Sequence, residues 1–107
     1  MNKKLFCILA LCCGTAHAEF YTGNDLYERL TSSEFIPKSF GSGFVAGVTD
    51  ALNGVLTCPP YHVTIEQAKD IVLLYLQSNP QSRHLTAAEL IAHALSKTWP
   101  CKKGSKL

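Results

Sequence analysis

The sequence predicts an all-α domain: a small four-helix orthogonal bundle, with room for an extra short helical turn and one disulfide. Three observations carry that expectation. Apolar residues recur at helical spacing, and no segment alternates as a half-buried strand does. Threonines with an acid or amide three residues on stand before three of the apolar runs, as N-caps do. Only two cysteines, Cys58 and Cys101, remain once the N-terminal segment is set aside.

That segment is read first because it decides which residues belong to the fold. Met1-Asn2-Lys3-Lys4 leads into the apolar stretch Leu5 to Cys13 and then Gly14-Thr15-Ala16-His17-Ala18. A basic start, a short apolar run and an Ala-x-Ala ending are the parts of a secretory signal peptide. The run falls short of the roughly 20 residues a membrane span needs. Residues 1–18 are therefore expected to be cleaved, leaving 19–107 as one small domain with no membrane insertion. A lipid-anchored reading would need small residues before the cysteine, whereas Cys12 follows Leu11.

Thr22-Gly23-Asn24-Asp25 opens the first helix, with Leu26 and Leu30 on one face and an end near Ser33. Pro37 suits the first turn of the second, which is expected to run to about Leu56, before Pro59-Pro60. Thr64-Ile65-Glu66-Gln67 is a capping box for the third, with Ile65, Ala68, Val72, Tyr75 and Leu76 on its apolar side. Asn79-Pro80 ends it. Thr86-Ala87-Ala88-Glu89 is another such box, and the fourth helix then runs to Trp99-Pro100. No repeat, linker or low-complexity stretch interrupts this order.

The second helix contains Gly41, Gly43 and Gly47, with Gly54 at its expected end. Each interior glycine costs about 1 kcal/mol relative to alanine, so a return is expected. On a wheel of about 100° per residue, Gly43, Gly47, Gly54 and Asp50 share one narrow sector, beside a broad apolar arc from Ala51 round to Leu56. The expectation is a side-chain-free groove on which another backbone packs closely, as small-residue stripes do. Asp50 inside that groove then needs a cation, and Arg83 or His84 in the connection 79–85 are its expected partners.

Without Lys3 and Lys4 the ten basic residues fall to eight, equal to the eight acidic ones. No basic patch or charge run stands out, which argues against nucleic acid as a partner. Two cysteines in a small exported chain pair as a disulfide, adding roughly 3 to 4 kcal/mol in the chain-entropy account. No nucleophile elbow, glycine-rich phosphate loop or metal-ligand spacing is present. No catalytic residue, metal or cofactor is therefore assigned.

The segments "TGNDLYERL", "GFVAGVTDAL", "CPPYHVTIEQAKDIVLLYLQSNPQSRHLTAAELIAHAL" and the closing "PC" resemble the Rap/Tai amidase-immunity proteins of type VI secretion. The resemblance implies a small helical protein exported to the periplasm and often dimeric. It also implies a partner, a peptidoglycan-cleaving amidase that the protein binds and blocks. One departure is clear. The family pattern usually has a second cysteine pair, whose positions here are Leu30 and Gly41. Apolar packing by Leu30 is a physical substitute for that link.

The function expected on these grounds is that of a periplasmic immunity protein, a stoichiometric inhibitor with no enzyme activity. The loop Thr57 to Val63, anchored by Cys58 and stiffened by Pro59-Pro60, is the expected contact, because a preorganised loop loses less entropy on binding. Tyr61 and His62 are its candidate partner-binding residues; the alternative is that Tyr61 covers the edge of the core. A helical acid-stress chaperone is the competing class. Such chaperones rely on many titrating groups, and only 16 of the 89 residues after the signal segment are Asp, Glu, Lys or Arg.

Overall fold

The computed structural model describes residues 20–102. The expected signal segment and its cleavage point lie outside them. Four α-helices follow in order: α1 (Gly23–Leu30), α2 (Phe35–Leu52), α3 (Ile65–Ser78) and α4 (Ala87–Thr98). A single 3₁₀ turn, Pro80–Ser82, sits between α3 and α4 and is the extra helical turn the sequence allowed for. Among the described residues there is no strand, only isolated bridges.

The caps explain where the helices begin. Thr22 accepts from the Asp25 amide while the Asp25 carboxylate accepts from the Thr22 amide, a reciprocal box. Donation from Thr22 holds the Asp25 carboxyl below its ordinary value. The cap therefore contributes in full above the ordinary carboxylate range and is lost as pH falls through the lowered value. Thr64 and Gln67 make the same box for α3. At α4 only half of the expected box forms. Thr86 accepts from the Glu89 amide, but the Glu89 carboxylate takes the Thr86 hydroxyl instead of its backbone amide.

The core draws on all four helices: Leu26 and Leu30 from α1, Val45 from α2, Ala68, Val72 and Leu76 from α3, and Ala87, Leu90, Ile91, Ala94 and Leu95 from α4. Tyr21 packs against it and meets Phe44 and Phe40 of α2 at centroid separations of 4.9 and 5.7 Å. Truncating a buried leucine such as Leu95 to alanine removes about 2 to 5 kcal/mol in comparable cores.

The expected glycine groove is not where α2 packs. Its buried positions are Gly41, Val45 and Thr49, whereas Gly43, Gly47 and Asp50 are all exposed. A Cβ built at Gly43 or Gly47 meets nothing within 4 Å. The apolar arc, not the glycine sector beside it, faces the core. Gly54 has a separate duty. The helix ends at Leu52, four residues earlier than expected, because Asn53 turns extended and Gly54 takes a φ of 78°. The Leu52 carbonyl then accepts from the amides of Val55, Leu56 and Thr57. Gly54 is thus the left-handed residue that stops the helix.

The close approaches are at Gly23 and Gly41. A Cβ at Gly41 would lie 3.2 Å from both Arg29 Cβ and Leu30 Cδ2. The Leu30 side chain therefore covers Gly41. At Gly23 a Cβ would stand 2.9 Å from the Arg83 carbonyl oxygen and would overlap Leu90.

Substitution separates these two kinds of glycine by sign. Gly43→Ala and Gly47→Ala are each expected to raise stability by up to about 1 kcal/mol. Gly23→Ala is expected to lower it by about 1 to 3 kcal/mol through overpacking against backbone. Urea denaturation of the three variants measures this, and a stability loss at Gly47→Ala would restore the groove.

Candidate functional site

Arg83 and His84 were expected beside Asp50, and the structure separates them. Arg83 Nε donates to the Leu76 carbonyl at 2.7 Å, and its guanidinium lies 3.8 Å from the centre of the Tyr27 ring. His84 is exposed. Asp50 makes neither an ion pair nor a side-chain hydrogen bond among the described residues; the one ion pair there joins Glu66 and Lys69. The expected network therefore gives way to a different role for Arg83. A cation belongs at the carboxyl end of a helix, and Arg83 serves the last turn of α3. Asn79 helps there, its side-chain amide donating to the Tyr75 carbonyl.

The loop after α2 is built from its two ends. At its start, Thr57 is fully buried, its carbonyl accepts from Gly54, and it bridges to Asn53 and Pro100. The Cys58 amide donates to the Trp99 carbonyl at 2.9 Å. The Cys58–Cys101 disulfide forms as expected, with the two Cα atoms 4.8 Å apart. It closes a segment with a sequence separation of 43, worth about 4 kcal/mol in the chain-entropy account. At the far end, the Val63 amide donates to the Pro60 carbonyl and Thr64 caps α3.

Between these anchors the chain projects. Pro59 and Pro60 fix their own φ angles and offer no amide donors. Tyr61 is 89% exposed, which excludes a role as a lid on the core. Its ring sits against the His62 ring, centroid to centroid 4.0 Å. His62 has a φ of 72°, making it the one residue other than glycine with a positive φ among those described. Left-handed backbone at an L-residue with a side chain costs on the order of 1 to 2 kcal/mol and collects at ligand-contacting sites.

Beside this loop lies a cleft of about 300 Å³ whose walls include Asp50, Asn53, Tyr61, His62 and Thr64. A second hollow, about 510 Å³, runs between α3 and α4 and holds Tyr75, His93 and Lys97. Neither assembles a nucleophile with a base and an orienting acid. Among the described residues no group of three or more His, Cys, Asp or Glu could hold a metal ion. No described helix is long and apolar enough to cross a membrane.

The arrangement is that of a rigid projection on a capped helical scaffold. The model of the Rap1a immunity proteins matches residues 22–101. The chain belongs to the Rap1a immunity protein family. The match begins at the Thr22 cap and closes at Cys101 of the disulfide, so it covers the four helices and the loop together. Comparison with curated proteins finds no match. Membership supports a role as an immunity protein that binds a cognate secreted effector.

Sequence reasoning singled out the projecting loop, but it missed the strain at His62, which no composition or spacing signals. It also missed the exposed Phe35, Ile36 and Phe40 at the start of α2. The strain has a measurable sign. His62→Gly is expected to keep or raise the melting temperature, since glycine accepts positive φ, whereas His62→Val is expected to lower it. Thermal unfolding by circular dichroism compares the two.

Proposed function

We propose that this immunity protein acts in the periplasm by binding a peptidoglycan amidase delivered by type VI secretion and occluding its cleft. The observation that supports this reading best is Tyr61, 89% exposed on a loop held at both ends. An aromatic side chain left in water on a stiff support costs little to order on binding and resembles an interface anchor. The protein is then a stoichiometric inhibitor: loop 57–63 fills the amidase cleft and keeps the cell-wall substrate from the nucleophile. The amidase itself comes from the resemblance of the sequence, and the family membership supports it at the level of an effector.

The matching experiment titrates the mature protein into a peptidoglycan-hydrolysis assay with a peptidoglycan amidase delivered by type VI secretion. Full inhibition at equimolar protein is expected. Tyr61→Ala is expected to weaken binding by about 2 kcal/mol or more, roughly thirtyfold, with unchanged helical content. Equal inhibition by native protein and variant would remove the loop from the interface.

A second copy of the chain is proposed as the partner of another face. Phe35, Ile36 and Phe40 are 83, 79 and 55% exposed on the first turns of α2. Contiguous exposed apolar residues of this kind mark association surfaces. Sedimentation equilibrium is expected to give a dimer for the native protein and a monomer for Ile36→Asp; a native monomer at every concentration rejects this face.

A further inference from the structure

We infer that the cleft between the last turn of α2 and the projecting loop is a socket for one basic side chain, lysine or arginine, of the protein partner. The inference rests on the partner-binding reading of loop 57–63 and adds the chemistry of the group that meets it.

Asp50 supplies the charge. It stands in the final turn of α2, exposed, without an ion pair or side-chain hydrogen bond among the described residues. That turn contains no basic residue, although the carboxyl end of a helix carries partial negative charge of its own. A carboxylate placed there adds to the dipole where a cation would normally offset it. No lysine or arginine lines the cleft, and the one histidine that does, His62, makes no ion pair with Asp50.

The remaining walls select the shape of the cation. Tyr61 borders the cleft with an exposed ring, and an aromatic face attracts ammonium and guanidinium groups. Asn53, the C-cap of α2, also lines the cleft and has a side-chain carbonyl that can serve as a further acceptor. Ile65 and Val63 give an apolar border for the aliphatic stem of a long basic side chain. At about 300 Å³ the cleft is at the lower limit of small-molecule pockets, and its lining carries more polar groups than they do. One carboxylate is too few for a divalent metal, which takes several oxygen ligands. An anion is repelled. A single basic side chain answers every wall.

Asp50 is therefore unfavourable for the free protein and favourable for the complex, and the two effects can be read separately. The ¹⁵N-labelled mature protein is titrated with N-acetyl-arginine amide and with its neutral isostere, N-acetyl-citrulline amide. The arginine compound is expected to move the backbone resonances of Asp50, Asn53, Tyr61 and His62 saturably, and the citrulline compound to leave them in place. Asp50→Asn is expected to weaken that response by about tenfold while holding or raising the melting temperature. An equal response to both compounds, no response, or an unchanged response in Asp50→Asn overturns the socket. Inhibition of the amidase distinguishes this result from the loop reading. If Tyr61→Ala abolishes inhibition and Asp50→Asn leaves it intact, occlusion by the loop stands and the socket falls. Loss in both variants, together with the arginine-specific shifts, supports the socket. Full inhibition by both variants rejects the socket and the loop alike.

Discussion

The segment 83–87 is the constraint on which the rest of the bundle depends. The amides of Gly23 and Asn24, two of the unpaired donors at the start of α1, reach the carbonyls of Leu85 and Arg83 at 2.9 and 2.8 Å. The Ala87 amide returns the exchange to the Tyr21 carbonyl at 2.7 Å. Arg83 adds its side chain to the Leu76 carbonyl and to the Tyr27 ring. One residue thereby touches the start of α1, the end of α3 and the flank of α1, immediately before α4 begins. Gly23 has to be glycine for this, because a side chain there would strike the Arg83 backbone. Backbone exchange at this junction ties the start of α1 to the approach to α4, and the Arg83 side chain ties it to the end of α3.

Much of this was legible and some was not. The caps at Thr22 and Thr64 could be read because they are local: four residues of sequence contain both halves of the hydrogen-bond exchange. The disulfide was legible from cysteine number alone. Helix existence followed from spacing. The face that α2 buries was also on the wheel, since Gly41 falls inside the apolar arc with Val45. The ordinary rule, apolar side inward, answers which face packs, and the glycine sector beside it carries no packing signal of its own. Gly54 carried a stop signal, a glycine just past the last periodic residue, and was counted into the stripe instead. Arg83 was harder. Its partners are a backbone carbonyl seven residues earlier and a tyrosine in another helix, and no pattern of residue types announces either.

The candidate site shows the same division. Anchoring cysteine and consecutive prolines mark the loop as stiff in any reading of the chain. That Tyr61 stands in water and His62 is left-handed goes with how the start of the loop, Thr57 and Cys58, is tied to Pro100 and Cys101, the two cysteines being 43 apart in sequence. Asp50 and Tyr61 line one cleft there, although one lies in a helix and the other in a loop. A scaffold of this type separates its tasks: the caps and core maintain the fold, and the residues that sit badly with respect to the fold gather around the projection.

The glycines of α2 have a consequence for the order in which the chain assembles. A helix carrying Gly41, Gly43 and Gly47 has little tendency to form alone, and its N-cap residue, Glu34, makes no side-chain hydrogen bond. The capped α3 and α4 lie close in sequence and meet through Ala68, Val72, Leu76, Ile91 and Leu95, so they are expected to nucleate first. On this view α2 is recruited onto an existing surface, and its outer amides exchange with solvent soonest in the finished protein. Faster exchange in α3 than in α2 would contradict it. The helix whose last turn carries Asp50 is then the most yielding of the four, set beside a loop that a disulfide anchors.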